Sequence, residues 1–185
     1  FDIDGTLLMT NGGGSSALKL AIEQEFGVDS ACVNVSFSGR TDRSLLSEIL
    51  QRNELPRDER IQQRLVDRYT ELFPRVLANN GGRVLPGIRG LLERLSERGN
   101  LRPYVMTGNL HVTATHKLQH FGLLSYFRGM FGGDHDEQRD HLAHRTIRTL
   151  RRRYGEETTQ DIVVIGDTPA DLQCARAIGA KVVAV

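Results

Sequence analysis

The sequence predicts an α/β fold, in which helices cover both faces of a mainly parallel sheet, together with an inserted all-helical domain. From residue 83 onward, short β-rich runs alternate with helical patterns, and this alternation is typical of a parallel sheet. Between residues 12 and 81, apolar residues recur at three- and four-residue steps without a convincing strand, which predicts helices alone. We therefore expect a core formed by residues 1–11 and 82–185, with a helical insertion over residues 12–81.

The chain opens on the acidic strand and turn Phe1-Asp2-Ile3-Asp4-Gly5-Thr6-Leu7. Residues two apart in a strand project to the same face, so Asp2 and Asp4 can both point into one site, and Gly5 permits a sharp turn. Carboxylates about 4 Å apart repel by roughly 4 kcal/mol at an effective dielectric of about 20, so the pattern calls for a cation. Magnesium suits it, because this ion prefers oxygen ligands and keeps waters for substrate phosphate.

The helical insertion follows a glycine run at residues 11–14 that indicates a hinge, a helix entry or a plain loop. No Gly-Lys-Ser/Thr follows these glycines, so a phosphate-binding P-loop is excluded. We expect Pro74 to kink or end the last helix of the insertion. The apolar positions that indicate its helices are Leu18, Ile22, Phe26, Leu45, Leu46, Ile49, Leu50, Ile61, Leu65, Tyr69, Leu72 and Val76.

The rest of the chain is predicted to alternate helices and strands. In such sheets the ligand lies at the carboxyl ends of the strands, so the loops that follow strands are the candidate site. In chain order we expect a helix at Ile88–Leu95 stopped by Gly99, a strand at Tyr104–Met106, a helix at Leu110–Phe121, a short strand ending near Phe131, a helix at Asp140–Tyr154, a strand at Asp161–Ile165, a helix beginning near Pro169 and a strand at Lys181–Val185.

Each of these loops carries residues suited to phosphate chemistry. Thr107, Gly108 and Asn109 offer a hydroxyl group and backbone N–H groups where a helix begins, which is a ready anion site. Arg139, at the start of the third helix of this region, can supply fixed positive charge. The pattern Gly166-Asp167-x-x-x-Asp171 places two more carboxylates after the strand that ends at Ile165.

This arrangement resembles the haloacid dehalogenase superfamily of phosphohydrolases over nearly the whole chain. Asp2-x-Asp4-Gly5-Thr6 matches the first motif of the family, Thr107 the second, and Gly166-Asp167-x-x-x-Asp171 the fourth. A basic residue before the third helix matches the third. The resemblance implies a Rossmann-like core, and the insertion is similar to the mobile cap of phosphoglycolate phosphatase-like and phosphoglucomutase-like members.

The resemblance also implies roles for these residues. Asp2 is expected to be the nucleophile that forms an aspartyl-phosphate, and Asp4 the acid and base. Asp2, the backbone carbonyl of Asp4, and Asp167 are expected to bind Mg²⁺. Thr107, Gly108 and Asn109 are expected to hold the phosphoryl oxygens, and Asp171 to orient the basic residue or a metal-bound water. The expected activity is a magnesium-dependent phosphatase acting on a small phosphorylated metabolite, with phosphoglycolate as a first guess.

The third motif of the family usually carries a lysine, and the candidates here are Arg139 and Arg145. We favour Arg139, because it lies where the third helix begins, near the strand ends. In the insertion, the polar loop Ser38–Arg43 is expected to descend over the site, where Arg40 can contact an acidic substrate. The alternative is that Thr41 or Asp42 only caps the next helix.

Other interpretations remain open. Asp167, Asp171 and Thr107 could serve only as helix caps. His116 and His120 could share a metal ion, although no further ligands are evident. A phosphomutase would use the same Asp2 chemistry, whereas a dehalogenase needs no acid at Asp4. A phosphate-binding module without turnover is a third class.

The composition limits the binding partners and the cellular location that we expect for this protein. The 185 residues carry 24 Lys and Arg against 23 Asp and Glu, so no global charge favours nucleic acid or a membrane surface. Two distant cysteines suggest no disulfide framework, and no stretch is apolar enough for a membrane span. We expect a cytoplasmic protein that extends beyond both ends of this sequence; its oligomeric state is not predicted.

Overall fold

The computed structural model describes residues 1–29 and 35–185, so Cys32 lies outside the described part. The described residues contain seven α-helices: α1 (Gly13–Phe26), α2 (Asp42–Arg52), α3 (Glu59–Asn80), α4 (Ile88–Ser96), α5 (His111–His120), α6 (Arg139–Tyr154) and α7 (Pro169–Ala177). They also contain six short strands: β1 (Leu8–Met9), β2 (Arg83–Val84), β3 (Val105–Met106), β4 (Met130–Phe131), β5 (Val163–Gly166) and β6 (Lys181–Ala184). The helices and strands predicted after residue 83 are confirmed to within about two residues.

The core is built from two parallel strand pairs, β3 with β4 and β5 with β6. The opening segment joins them, because the Phe1 carbonyl accepts a hydrogen bond from the Met106 N–H at 2.8 Å and the Asp2 N–H donates to the Ile165 carbonyl at 2.9 Å. Residues 1–3 therefore lie between β3 and β5, too short to form a regular strand but bonded on both sides. This puts Asp2 at the centre of the core.

Helices cover both faces of this core, as predicted. Val105 and Met106 are adjacent in β3, so their side chains project to opposite faces. Val105 packs in one buried cluster with Ile3, Leu92 of α4 and Leu118 of α5. A second buried cluster contains Met106, Val164, Leu142 and Ala143 of α6, and Cys174 and Ala175 of α7.

The remaining strand pair, β1 with β2, is antiparallel and was not predicted. Leu8 pairs with Val84 and Met9 with Arg83. This pair lies just before α1 and just after α3, so the segment that carries α1, α2 and α3 begins and ends at neighbouring positions. Both positions lie next to the turn that carries Asp4.

Helices α1, α2 and α3 share a buried cluster that includes Ile22, Leu50, Leu65 and Phe73 and extends to Leu110 beside α5. The glycine run is a helix entry, since α1 begins at Gly13. Thr41 caps α2, because its Oγ1 accepts a hydrogen bond from the Ser44 N–H at 3.2 Å. The same hydroxyl also donates to the Glu137 carbonyl, so capping is not its only contact.

Pro74 does not end α3, which continues to Asn80. A proline inside a helix removes one backbone hydrogen bond and costs about 3 kcal/mol. The residues around it, Phe73, Val76 and Leu77, are buried in the helical cluster, and this burial offsets the cost. None of the described helices is long and apolar enough to cross a membrane.

Candidate active site

Asp2 is a buried carboxylate with one unsatisfied oxygen. Asp2 is 7% exposed, and its Oδ1 atom has no hydrogen-bond partner. Burial raises the pKa of Asp2 to about 6, although the nearby Arg139 guanidinium opposes the shift. Arg139 forms an ion pair with this oxygen at 3.5 Å but gives it no hydrogen bond. A buried oxygen without a hydrogen bond is costly, so this position is suited to a further cationic or reactive ligand.

The turn after Asp2 brings the first and fourth motifs into contact. Gly5 has a φ of +82°, and a Cβ atom placed there would lie 2.2 Å from Oδ2 of Asp167. Only glycine suits both the left-handed backbone and the close approach. The Thr6 hydroxyl donates a hydrogen bond to Asp167 Oδ1 at 2.9 Å, which fixes the orientation of this carboxylate.

Asp2, Asp167 and Asp171 form a carboxylate cluster, with one oxygen from each lying within 4.8 Å of the others. Asp171 is already bonded: Arg139 contacts its Oδ1, and the Thr168 N–H and hydroxyl donate to its Oδ2 at 3.1 and 2.7 Å. The unsatisfied Asp2 oxygen and the exposed Asp167 are the groups that remain for an ion. This donor set fits a hard divalent cation such as Mg²⁺.

The Asp4 side chain is separate from that cluster and contacts Lys117, whose Nζ lies 2.5 Å from Asp4 Oδ2. Sequence reasoning missed Lys117. The available signal was its position on the apolar face of α5, where Ala114 and Leu118 are buried at the neighbouring helical positions. A charged residue on such a face requires a buried partner.

The loop after β3 holds Thr107, Gly108 and Asn109 at the carboxyl end of the strand. Thr107 is buried, and its Oγ1 accepts a hydrogen bond from the Asn109 N–H at 3.3 Å. The alternative that Thr107 caps α5 is wrong, because the residue preceding that helix is Leu110. The Asn109 side chain accepts a hydrogen bond from Lys117 Nζ at 2.5 Å.

The two arginine candidates occupy different surroundings. The Arg139 guanidinium is buried, lies 3.5 Å from Asp2 Oδ1 and pairs with Asp171. Burial alone would lower the pKa of Arg139, but the two carboxylates raise it, so the group stays charged. Arg145 instead pairs with Asp136 at 2.7 Å and donates to the Gly132 carbonyl at 2.7 Å. Of the two arginines, Arg139 is therefore the one that contacts Asp2.

The loop before α2 lies directly against the core. The Asp42 N–H donates to the Gly108 carbonyl at 2.7 Å, and the Thr41 hydroxyl donates to the Glu137 carbonyl at 3.1 Å. A Cβ atom on Gly108 would lie 2.0 Å from the Arg40 carbonyl oxygen. The loop before α2 is therefore seated on the loop that carries Thr107.

The Arg40 side chain turns away from this contact. Its guanidinium pairs with Glu48 and donates to the Ser44 carbonyl at 3.2 Å. The candidate histidines also lie apart from the cluster: His116 is half-buried and His120 exposed. Within residues 1–29 and 35–185, neither belongs to a group of three side chains that could share a metal.

Asp42 provides a pH-dependent contribution to stability. Its carboxylate accepts a hydrogen bond from the Leu110 N–H at 2.8 Å, and burial raises its pKa from 3.8 to about 6. Between these values the folded protein binds a proton that the unfolded chain has lost, so this contribution grows as the pH falls through 6 toward 4.

Asp42→Asn removes this titration and keeps an oxygen for the hydrogen bond. The unfolding temperature of the wild type, relative to that of the variant, is expected to rise between about pH 7 and about pH 5. This difference in unfolding temperature is measured by thermal unfolding in the presence of a metal chelator. Asp161→Asn, at an exposed aspartate, is the control. A difference that does not change with pH would contradict the assignment.

Comparison with known proteins identifies the family of this chain. The sequence profile of the family described as haloacid dehalogenase-like hydrolase matches residues 1–185. A phosphoglycolate phosphatase from Rhodospirillum rubrum is 32% identical over 189 residues, which cover 99% of this chain and 76% of that protein.

Solved structures share the fold at lower identity. CbbY from Rhodobacter sphaeroides in complex with phosphate has a TM-score of 0.74 and 18% identity, covering 100% of this chain and 84% of that one. A predicted phosphoglycolate phosphatase from Haemophilus somnus has a TM-score of 0.72 and 21% identity, covering 100% of this chain and 82% of that one. With the profile match over its whole length and the Rhodospirillum relative, this chain belongs to the haloacid dehalogenase-like hydrolase family.

Proposed function

We propose that this protein is a magnesium-dependent phosphatase that hydrolyses a small phosphorylated metabolite through an aspartyl-phosphate on Asp2. The observation that carries the proposal is the buried Asp2 carboxylate, which has an unsatisfied oxygen, a charged arginine beside it and the exposed Asp167 within 4.8 Å. Such a group is poised to attack an electrophile that reaches it. Family membership supports the same chemistry.

The first step would be attack of an Asp2 carboxylate oxygen on the phosphorus of the substrate. The bond from phosphorus to the alcohol oxygen breaks, its electron pair leaves with that oxygen, and Asp4 donates a proton to it. In the second step a water molecule attacks the phosphorus of the aspartyl-phosphate, and Asp4 takes its proton. The bond to Asp2 then breaks, which frees inorganic phosphate and restores the carboxylate.

Arg139 would hold the reacting charge in place. Its guanidinium lies between Asp2 and Asp171, so it can neutralise charge that develops on the phosphoryl oxygens. Asp171 is fully buried and is bonded to Thr168 and Arg139, an arrangement suited to fixing the arginine rather than to reacting.

Asp2, the Asp4 carbonyl and Asp167 would hold the Mg²⁺ ion. When bound, this ion neutralises the carboxylates and the phosphoryl group, so that an anionic nucleophile can approach an anionic substrate. Thr107 with the Gly108 and Asn109 backbone would bind the remaining phosphoryl oxygens, because this loop directly precedes α5.

Residues 12–81 would act as a cap on the core formed by residues 1–11 and 82–185. The contacts of Thr41 and Asp42 with core loops support this division. A groove of about 770 Å³ lies between the two parts and is lined by residues that include Arg40, Ser44, Arg139, Gln173 and Arg176. Its three arginines lie beside Glu137 and Asp140, and Arg40 would have to exchange Glu48 for an acidic substrate.

The relative from Rhodospirillum rubrum is a phosphoglycolate phosphatase, which makes phosphoglycolate the first substrate to test. The proposed setting is the cytoplasm, and the buried free thiol of Cys174 suits a reducing compartment. A phosphomutase remains the alternative, since it would share the first step but return the phosphoryl group to a sugar.

A screen of phosphate release over phosphorylated metabolites tests the function. We expect release that requires added Mg²⁺, that stops when the ion is chelated and that returns on readdition, because the carboxylate cluster cannot accept an anionic substrate without a cation. Analysis of the products distinguishes a phosphatase from a phosphomutase. An isomer of the substrate in place of inorganic phosphate would identify a mutase. Release that is unaffected by chelation would contradict the metal requirement.

A further inference from the structure

Lys117 is a buried charge for which the proposed mechanism has no use. Of the three lysines, all within the part of the chain that the structure describes, it alone is buried, at 3% exposure. A buried ammonium group costs several kcal/mol unless it is paired and hydrogen-bonded. Its partners therefore indicate what it does.

Those partners come from three different parts of the fold. The Nζ atom lies 2.5 Å from Asp4 Oδ2 and 2.5 Å from Asn109 Oδ1. It also lies 5.9 Å from the ring centroid of Phe73, within range of a cation–π contact. Lys117 thus connects the turn after Asp2, the loop after β3 and helix α3 of the insertion.

The contact with Asp4 leaves one side of that carboxyl group open. The Lys117 side chain is 4% exposed, whereas that of Asp4 is 40% exposed, so the lysine holds Asp4 from the interior. An ammonium group only donates hydrogen bonds, so Oδ2 has to act as an acceptor while Lys117 holds it. The ammonium group favours negative charge on Oδ2, so the proton that Asp4 exchanges with the substrate would lie on Oδ1.

We propose that Lys117 is a positioning residue that aims the Asp4 carboxyl group at the leaving-group oxygen. The inference rests on the proposed function, in which Asp4 is the acid and base. Its effect is expected to be large, because a misplacement of about 1 Å in a reacting group can cost on the order of 10²-fold in rate.

Lys117→Met keeps the apolar stem and removes the ammonium group. The measurement is kcat/KM, which covers only the steps up to departure of the first leaving group. We expect a loss of about 10- to 100-fold on phosphoglycolate, or on whichever alkyl phosphate the screen identifies, because an alkoxide needs the proton from Asp4. On p-nitrophenyl phosphate, whose leaving group needs no proton, the expected loss is less than about threefold.

A double-mutant cycle separates positioning from a general structural role. Asp4→Asn alone is expected to show the same selective loss, and adding Lys117→Met to it should cause no further loss, because the lysine acts through Asp4. Lys181→Met, at an exposed lysine, is the matched control. If thermal unfolding shows that Lys117→Met does not fold, Lys117→Gln takes its place in the same assays.

The outcomes distinguish the inference from the function on which it rests. Equal losses on the alkyl and aryl esters, or losses that add in the Asp4→Asn background, overturn the role of Lys117 alone. A wild-type protein that releases phosphate from no ester, or an Asp2→Asn variant that keeps full activity, overturns the proposed function and the inference with it.

Discussion

Replacing Asp2 by Asn is expected to reduce phosphate release by at least about 10³-fold, the scale on which loss of a covalent nucleophile acts in other enzymes. Asparagine has nearly the same shape as aspartate but lacks the anionic oxygen that attacks phosphorus. Because Asp2 is held by the backbone hydrogen bond from its N–H to Ile165, the fold should survive the change. The measurement is release of inorganic phosphate under Mg²⁺, with thermal unfolding recorded in parallel.

Two further measurements make the result specific to Asp2. Asp161→Asn changes an exposed aspartate that pairs with Lys181, so it is expected to leave phosphate release unchanged. Acid quenching of the wild type during turnover of a labelled substrate should trap phosphate on the peptide that contains Asp2, and the Asp2→Asn variant should trap none. Full activity in that variant would rule out the covalent mechanism.

Much of the fold could be predicted from sequence because the signals were local. Each helix after residue 83 carries apolar residues at three- and four-residue steps, and each is bounded by glycine or proline or by a β-rich run. Asp2 lies in the predicted opening strand, Thr107 and Asp167 follow predicted strands, and Arg139 begins a predicted helix. Since parallel strands end at one edge of a sheet, their convergence follows from topology.

The remaining features depend on contacts between distant residues. The β1–β2 pair joins segments about 75 residues apart, and two-residue strands leave almost no pattern in a sequence. Pro74 remains inside α3 because tertiary burial outweighs local propensity. The pairing of Lys117 with Asp4 spans 113 positions, and only the fold brings the two together.

Arg139→Met is expected to reduce phosphate release by about 10²-fold or more, as removal of one fixed electrostatic donor does. It should also lower the free energy of unfolding by about 3 to 5 kcal/mol, because Asp2 and Asp171 would remain buried without their cation. The Arg139 and Asp2 side chains are each only 9% exposed, and that of Asp171 is fully buried, so solvent screens little of this interaction. Phosphate release and denaturant unfolding measure the two effects.

The lysine that is usual in the third motif provides the decisive comparison. Arg139→Lys keeps the charge between Asp2 and Asp171, so it should recover most of the stability and a larger share of activity than Arg139→Met does. Arg145→Met is the matched control, because Arg145 bonds to Asp136 and the Gly132 carbonyl away from the carboxylate cluster. If Arg145→Met abolishes phosphate release while Arg139→Met keeps it, Arg145 and not Arg139 fills the third-motif role, and the pairing of Arg139 with Asp171 is structural.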